Sequence, residues 1–201
     1  METRKFQFVG FALLHAFGFS LSARAAFVFN ISQTPTGTVA IGGGVINTTA
    51  LRYLNRGTSS RASMDPDQAY LSGGPSSGGE LSDGYSGVLQ VPQFGYGQYQ
   101  VYATSGTGDV VGILGGNIEV PAGYVSGNYL SCTDTWAFES FAYIGLTPGS
   151  DVYTWGSGTT ADSLTINVGT VPEPASFGVM ALASTLALRR RRRLPVSSGA
   201  T

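Results

Sequence analysis

The chain has 201 residues, of which 42% are hydrophobic and 11% charged, and its formal net charge is −1. This length allows one domain with a sizeable core. The charge is unevenly placed, since residues 26–171 carry three arginines and ten carboxylates, a formal charge of −7. An acidic body lacks the basic surface that nucleic-acid binding requires, so we expect no nucleic-acid partner.

The first 25 residues have the three-part layout of a secretory signal peptide. Arg4 and Lys5 precede an almost uncharged stretch, which ends at the small-residue pattern Ala23-Arg24-Ala25. The layout predicts export through a translocon and cleavage by signal peptidase next to Ala23 and Ala25. A buried N-terminal helix, the alternative, requires a polar face at helical spacing that this stretch lacks.

Export removes the only lysine and the only histidine of the chain, Lys5 and His15. Their loss excludes Ser-His-Asp triads, Cys-His pairs, Ser-Lys dyads and Schiff bases in the mature protein. Cys132 is the only cysteine, so neither an intramolecular disulfide nor a Cys/His metal site can form. We expect no cofactor and no metal, and we expect Cys132 to be a small buried hydrophobic residue, with an intermolecular disulfide as the alternative.

The residues after position 25 alternate with period two rather than with the 3.6-residue period of a helix. Short β-branched or aromatic runs, bounded by turn-forming residues, predict strands at residues 26–31, 38–41, 109–114, 151–155 and 163–168. In the last run Leu164, Ile166 and Val168 alternate with polar residues, which predicts one buried and one solvated face. The sequence therefore predicts a mainly β domain over residues 26–170, either an antiparallel sandwich or a jelly roll.

Residues 55–87 differ from the rest of this domain because they are rich in glycine and serine. Such residues bury little apolar surface, so we expect a flexible, exposed insertion between two halves of one sheet domain. Asp65, Asp67, Glu80 and Asp83 offer the oxygen ligands that Ca²⁺ prefers. Their spacing matches no calcium loop, and we favour solvated loop carboxylates as the interpretation.

Residues 94–102 form the aromatic-rich part of the chain. On a strand, Phe94, Tyr96 and Tyr102 share one face with two glutamines. When exposed, such a face suits a flat polysaccharide surface, which makes these three residues the candidate carbohydrate contacts of a carbohydrate-binding module. The alternative is that they pack in a two-layer core, because aromatic side chains dominate core burial.

Carboxylates are the remaining candidates for catalysis, because two acids that flank a glycosidic bond can cleave it without other groups. Asp134 and Glu139 lie on either side of Trp136, an aromatic residue that could stack on a sugar. Residues five apart in a strand face opposite sides, so this pair meets only across a bend. We therefore expect a non-enzymatic protein and keep a glycosidase as the lesser alternative.

The C-terminal region joins a proline-rich motif, an uncharged apolar run over residues 175–188 and a basic cluster. The motif and the cluster are Val171, Pro172, Glu173, Pro174 and Arg189, Arg190, Arg191, Arg192, Arg193. As a helix the apolar run spans about 21 Å, against a hydrocarbon core of about 30 Å. Because arginines stay on the cytoplasmic side, we expect a single, transient C-terminal transmembrane helix with the domain outside.

These three features, in this order, resemble the PEP-CTERM sorting signal of exported bacterial proteins. The same region is sometimes labelled the C-terminal segment of ice-binding proteins, a label that does not establish ice binding. The resemblance implies that an exosortase, a membrane protease or transpeptidase, recognises residues 171–193 in Gram-negative bacteria that usually make exopolysaccharide. Members of the family generally stop soon after the basic cluster, whereas a polar tail, residues 194–201, follows here.

Five internal stretches are also similar to a recurrent ectodomain of short PEP-CTERM proteins, namely residues 120–127, 135–138, 144–149, 153–158 and 161–166. The resemblance implies an exported surface or extracellular-matrix protein, associated with exopolysaccharide or a biofilm. Its precursor is expected in the inner membrane, and the processed protein in the cell envelope, at the outer surface or outside the cell.

Overall fold

The structure of the protein is a computed structural model that describes residues 26–169. In this range the chain forms two β-sheets, one short α-helix and two 3-10 turns. The first sheet contains β1 (Ala26–Thr34), β2 (Gly37–Val45), β8 (Ser105–Gly108), β11 (Tyr129–Ala137), β12 (Gly149–Trp155) and β13 (Asp162–Val168). The second contains β3 (Arg52–Thr58), β4 (Ser63–Asp65), β5 (Tyr70–Gly73), β6 (Leu81–Ser86), β7 (Val101–Tyr102), β9 (Val111–Leu114) and β10 (Asn117–Pro121). The helix, α1, is Phe141–Ile144, and the 3-10 turns are Pro66–Gln68 and Gly158–Thr160.

The fold is mainly β, and the five runs predicted as strands all lie in or overlap observed strands. The first sheet has the strand order β12-β13-β1-β2-β11-β8, and the second has the order β3-β6-β10-β9-β5-β4-β7. Every pairing is antiparallel except that of β1 with β13, which run in the same direction with Phe29 beside Ile166. The expectation of a purely antiparallel domain is therefore wrong at this one pairing.

The parallel pairing places the two ends of the described chain at opposite ends of the first sheet. Ala26 lies beside Ser163 at one end, and Ile31 lies beside Val168 at the other. A strand rises about 3.3 Å per residue, so these two pairs, five residues apart, are separated by roughly 17 Å.

The core lies between the two sheets, and along β1 and β13 the residues that form it alternate with partly exposed residues. On β13, Leu164, Ile166 and Val168 are buried while the polar residues between them are partly exposed, which confirms the predicted faces. On β1, Phe27 and Phe29 are fully buried, with their ring centroids 5.1 Å apart in an edge-to-face arrangement. The second sheet contributes a smaller set of fully buried side chains, among them Met64, Leu71, Ile113 and Ile118.

Glycines on neighbouring strands make room for these large side chains. Gly42 lies between Phe29 and Cys132 in the first sheet, and a Cβ there would be 2.7 Å from the Cys132 sulfur and 2.9 Å from a Phe29 ring carbon. Gly73 faces the same place from the second sheet, where a Cβ would be 2.7 Å from that sulfur. The two sheets thus approach each other closely at a point where both have a glycine and where no room is left for a side chain on either.

The prediction of an exposed insertion over residues 55–87 is wrong. This segment supplies most of β3 and all of β4, β5 and β6, and it buries Met64 and Leu71 in the core. Ser59, Ser63, Ser72 and Ser82 of this segment are also buried. Ser72 Oγ and Ser82 Oγ donate hydrogen bonds of 3.3 and 2.7 Å to the Glu119 carboxylate. Small polar residues can therefore form an interior strand when the sheet and a buried acceptor satisfy their hydrogen bonds.

Several predicted segments lie outside the described residues. They are the signal peptide (1–25), position 170 of the domain, the sorting motif with its apolar run and arginine cluster (171–193) and the polar tail (194–201). Within residues 26–169, no helix is both long and apolar enough to cross a membrane.

We predict that Gly42→Ala destabilises the domain by about 1–3 kcal/mol, because the added methyl group overlaps the buried Cys132 and Phe29 side chains. Gly57→Ala is the matched control, since a Cβ on this strand glycine meets only the Asn55 side chain at 3.8 Å. Urea denaturation of both variants measures the difference. Equal stability of the two variants would contradict the proposed close packing.

Candidate functional site

The aromatic-rich segment, residues 93–102, runs beside the turn that follows α1. Tyr96 N donates a 2.7 Å hydrogen bond to the Gly145 carbonyl, and Thr147 N donates one of 3.1 Å to the Phe94 carbonyl. Gly95 and Leu146 form an isolated bridge, and regular strand structure begins only at β7. Of the strand expected over residues 94–102, only residues 101–102 form one, so Phe94, Tyr96 and Tyr102 do not share a strand face.

Three glycines allow the two segments to touch backbone to backbone. A Cβ on Gly95 would be 2.0 Å from the Gly145 carbonyl oxygen, and one on Gly97 would be 2.3 Å from the Ile144 carbonyl oxygen. Gly145 caps α1 with a left-handed φ of 81°, which favours glycine. Because no side chain fits between the segments, Tyr96, the residue between the first two glycines, is directed to the surface.

Four tyrosines are exposed along this contact. The exposed fraction of the side chain is 79% for Tyr96, 77% for Tyr99, 69% for Tyr143 and 48% for Tyr102. By contrast, Phe94 is only 1% exposed and belongs to the core, so its prediction as a carbohydrate contact is wrong. Tyr96 and Tyr102 are accessible as that prediction requires.

We call the larger concavity here the tyrosine groove. It has a volume of about 450 Å³ and is lined by Gln98, Tyr99, Gln100, Val101, Tyr102, Tyr143 and Ile144. On a strand, Tyr99 would face the side opposite to Tyr102, and the sequence pattern gives no reason to include Tyr143, which comes from α1. The alternation of Gly and Tyr at positions 95–97 was the available sign of a non-strand backbone.

The walls of the tyrosine groove are fixed by hydrogen bonds to the domain behind them. Trp136 Nε1 donates to the Val101 carbonyl at 3.0 Å, and Gln100 Nε2 donates to Ser63 Oγ at 2.9 Å. The Arg61 guanidinium lies 5.3 Å from the centroid of the Tyr102 ring, a cation–π contact. These contacts hold one wall of the groove before any ligand arrives.

The opposite wall is fixed through α1. Ser140 Oγ accepts a 3.2 Å hydrogen bond from Tyr143 N, and Gln33 Oε1 accepts one of 2.8 Å from Phe141 N. None of the hydrogen bonds among residues 26–169 uses the hydroxyl groups of Tyr99 and Tyr143. Both the ring faces and the hydroxyl groups of these two tyrosines are thus available to a ligand.

A second concavity, the Asp151 groove, lies on the other side of Tyr96. Its volume is about 410 Å³, and it is lined by Gln93, Phe94, Gly95, Tyr96, Thr147, Pro148, Gly149, Ser150 and Asp151. Partial burial raises the pKa of Asp151 above its usual value. No hydrogen bond within residues 26–169 is donated to the Asp151 carboxylate.

The predicted carboxylate pair is not brought together at the surface. Asp134 and Trp136 are both fully buried between the sheets, where no sugar can reach them, whereas Glu139 is partly exposed. Asp134 Oδ1 accepts a 3.1 Å hydrogen bond from Gly74 N, and its Oδ2 has no partner among the described residues. Burial raises the pKa of Asp134 to about 7.

Cys132 is buried beside Asp134 and is a free thiol. Burial, with the nearby Asp134 carboxyl, raises the pKa of the thiol well above its usual range. The expectation of a small buried hydrophobic residue is confirmed, and an intermolecular disulfide would require this side chain to leave the core.

The four acids that were considered for Ca²⁺ do not form one cluster among residues 26–169. Asp83 forms a salt bridge with Arg56, at 2.8 Å from Nε, and accepts a hydrogen bond of 2.7 Å from Gly123 N. The Asp65 carboxyl is paired with that of Asp67, and burial together with this neighbour raises its pKa to about 6. Within residues 26–169, no group of three or more His, Cys, Asp or Glu side chains is arranged to hold a metal ion.

Comparison with protein-family models, curated proteins and solved structures found no match to the chain. The site is therefore interpreted from its own geometry.

We predict that Asp134→Asn stabilises the domain at neutral and alkaline pH. The pKa of Asp134 is raised on folding, so its carboxyl binds more protons in the folded than in the unfolded chain. The free energy of unfolding therefore falls as pH rises from about 4 to about 7. The asparagine variant should be more stable by about 1–3 kcal/mol at pH 8 and should show a flatter pH profile.

Urea denaturation across this pH range measures the effect, with the exposed Glu80→Gln as the control for loss of a negative charge. The same decline with pH in Asp134→Asn as in the native chain would show that Asp134 is not the group responsible.

Proposed function

We propose that the protein is an exported, non-enzymatic surface or matrix protein that binds polysaccharide through the tyrosine groove. The observation that carries the proposal is the presence of Tyr99, Tyr102 and Tyr143 with two glutamines around one fixed concavity. Aromatic faces pack on the apolar faces of sugar rings, while amide groups can both donate to and accept from sugar hydroxyls. Ligand sites commonly combine an aromatic lining with a few polar groups in this way.

The absence of catalysis is part of the proposal. Residues 26–170 contain no histidine and no lysine. The glycosidase alternative has little support, because Asp134 is enclosed in the core and cannot flank a glycosidic bond together with Glu139.

We also propose the β-sandwich description for the extracytoplasmic domain, because its two sheets pack face to face around one core. The jelly-roll alternative fits less well, since that architecture has eight strands and this domain has more, with one parallel pair.

The proposed route to the cell surface rests on the two ends of the sequence. The N-terminal segment, with Ala23 and Ala25 at its cleavage site, supports export by the translocon and signal peptidase. The Val171-Pro172-Glu173-Pro174 motif, the apolar run and the arginine cluster support recognition by an exosortase-like membrane enzyme after transient anchoring in the inner membrane. Exopolysaccharide is then the proposed ligand outside the inner membrane.

We predict that Tyr99→Ala and Tyr143→Ala each weaken polysaccharide binding about tenfold, because each removes an aromatic anchor from the groove. Tyr129→Ala is the matched control: its side chain is 70% exposed, and it lies at the end of β11 remote from α1. Depletion of the protein by a panel of insoluble polysaccharides measures the affinity. Absence of binding by the native chain, or equal effects of all three substitutions, would contradict the proposal.

We predict that the C-terminal segment is removed during sorting. A chain with one tag in the hairpin turn at Thr36 and a second after Thr201 should yield mature envelope protein that keeps the first tag and has lost the second. Immunoblots of membrane, envelope and medium fractions measure both tags. Mature protein that carries both tags would show that the sorting signal is not cleaved, whether or not the protein binds polysaccharide.

A further inference from the structure

The two grooves are successive along the same pair of chain segments. Residues 93–96 line the Asp151 groove and residues 98–102 line the tyrosine groove, while the facing segment contributes residues 147–151 to the former and residues 143–144 to the latter. The backbone contact of Gly95 and Gly97 with Gly145 lies between them. The two grooves are therefore neighbours along these segments, with the glycine contact as the boundary.

Tyr96 stands at the boundary between the grooves. It is 79% exposed and lines the Asp151 groove, and its backbone is held by the hydrogen bond to the Gly145 carbonyl. Its ring can therefore act as a platform at the point where a ligand crosses from one groove to the next.

The Asp151 groove adds a carboxylate acceptor to the amide and hydroxyl groups of the tyrosine groove. The Asp151 carboxylate is partly buried and accepts no hydrogen bond from residues 26–169, so it lacks donors that a ligand rich in hydroxyl groups can provide. Ser150 Oγ is already occupied by Asn167 Oδ1 at 2.8 Å. The Asp151 carboxylate is thus an acceptor in this groove that other residues of the described chain leave free.

The charges on the surface favour an uncharged ligand. Of the residues that the structure describes, no charged one lines the tyrosine groove, and the charged one that lines the Asp151 groove is negative. Among residues 26–169, the cation beside the tyrosine groove is Arg61, which contacts the Tyr102 ring and donates a 2.9 Å hydrogen bond from Nε to the Ser76 carbonyl. With a formal charge of −7 over residues 26–171, the domain repels polyanions.

We infer that one neutral polysaccharide chain occupies both grooves, so that the Asp151 groove is a second subsite in which Asp151 accepts hydrogen bonds from sugar hydroxyls beside the Tyr96 ring. The inference rests on the proposed function of the tyrosine groove. Two linked subsites bind a long chain more tightly than either binds a short one, because the second contact is intramolecular once the first has formed.

The test is calorimetric titration of the full chain with cello-oligosaccharides and N-acetylated chito-oligosaccharides of increasing length, and with alginate as a polyanion. Affinity should rise with length for a neutral ladder and should be weakest for alginate. Asp151→Asn and Tyr96→Ala should each lower the affinity for the longest oligosaccharide about tenfold and leave that for the shortest one unchanged.

Stability measurements on the two variants, and a control variant, separate effects on binding from effects on folding. Asp151→Asn removes a charge whose burial is unfavourable, and Tyr96 is largely exposed, so neither substitution should lower stability. Glu80→Gln removes an exposed carboxylate that lines neither groove and should leave all affinities unchanged.

Three other outcomes would each contradict a different part of the proposal. If Tyr143→Ala abolishes binding while affinity is independent of length, or Asp151→Asn and Tyr96→Ala have no effect, the second subsite is wrong and the proposed function stands. Tight binding of alginate would overturn the assignment of a neutral ligand. If the native chain binds none of these ligands, the proposed function fails and the second subsite fails with it.

Discussion

The steric fit of bulky side chains against glycine is the constraint on which the rest of this structure depends. In the core, Phe29 and Cys132 occupy the space that Gly42 and Gly73 leave empty, so the two sheets come together around an aromatic centre. As a consequence, a methyl group added at either glycine would force the backbone or an aromatic ring to move. The same close approach encloses Asp134 without a cation, which makes the centre of the domain sensitive to pH.

The surface site is built by the same means at a second place. Gly95, Gly97 and Gly145 allow two loop segments to lie in backbone contact, and this contact directs tyrosines outward rather than into the core. Loops are usually the more mobile parts of a domain, but here hydrogen bonds from Trp136 and Gln100 attach one segment to the sheets. A fixed groove loses less conformational entropy when it binds a ligand, and this is the physical advantage of such an attachment.

The sequence alone predicts the fold better than the site. The alternation of Leu164, Ile166 and Val168 with polar residues is a local signal, and the structure confirms it. The strands within residues 55–87 give no such signal, because small polar residues have the same composition in a loop and in an interior strand; only the long-range contact of Ser72 and Ser82 with Glu119 distinguishes the two. The surface site is predicted only in part. The sequence points to Tyr102, which lines the tyrosine groove, and to Tyr96, which lines the Asp151 groove. The burial of Phe94 and the contribution of Tyr143 depend on tertiary contacts that no local pattern encodes.

The parallel pairing of β1 with β13 also determines which way the domain faces. Gly149 pairs with Val168, and Gly169 packs beside Pro148, so both grooves lie at the end of the first sheet from which the chain continues towards Val171. The N-terminal end, at Ala26, lies at the opposite end of that sheet. The two ends of the described domain thus differ in what they carry, because the grooves share an end with the start of the proposed sorting signal and not with the proposed signal-peptidase site.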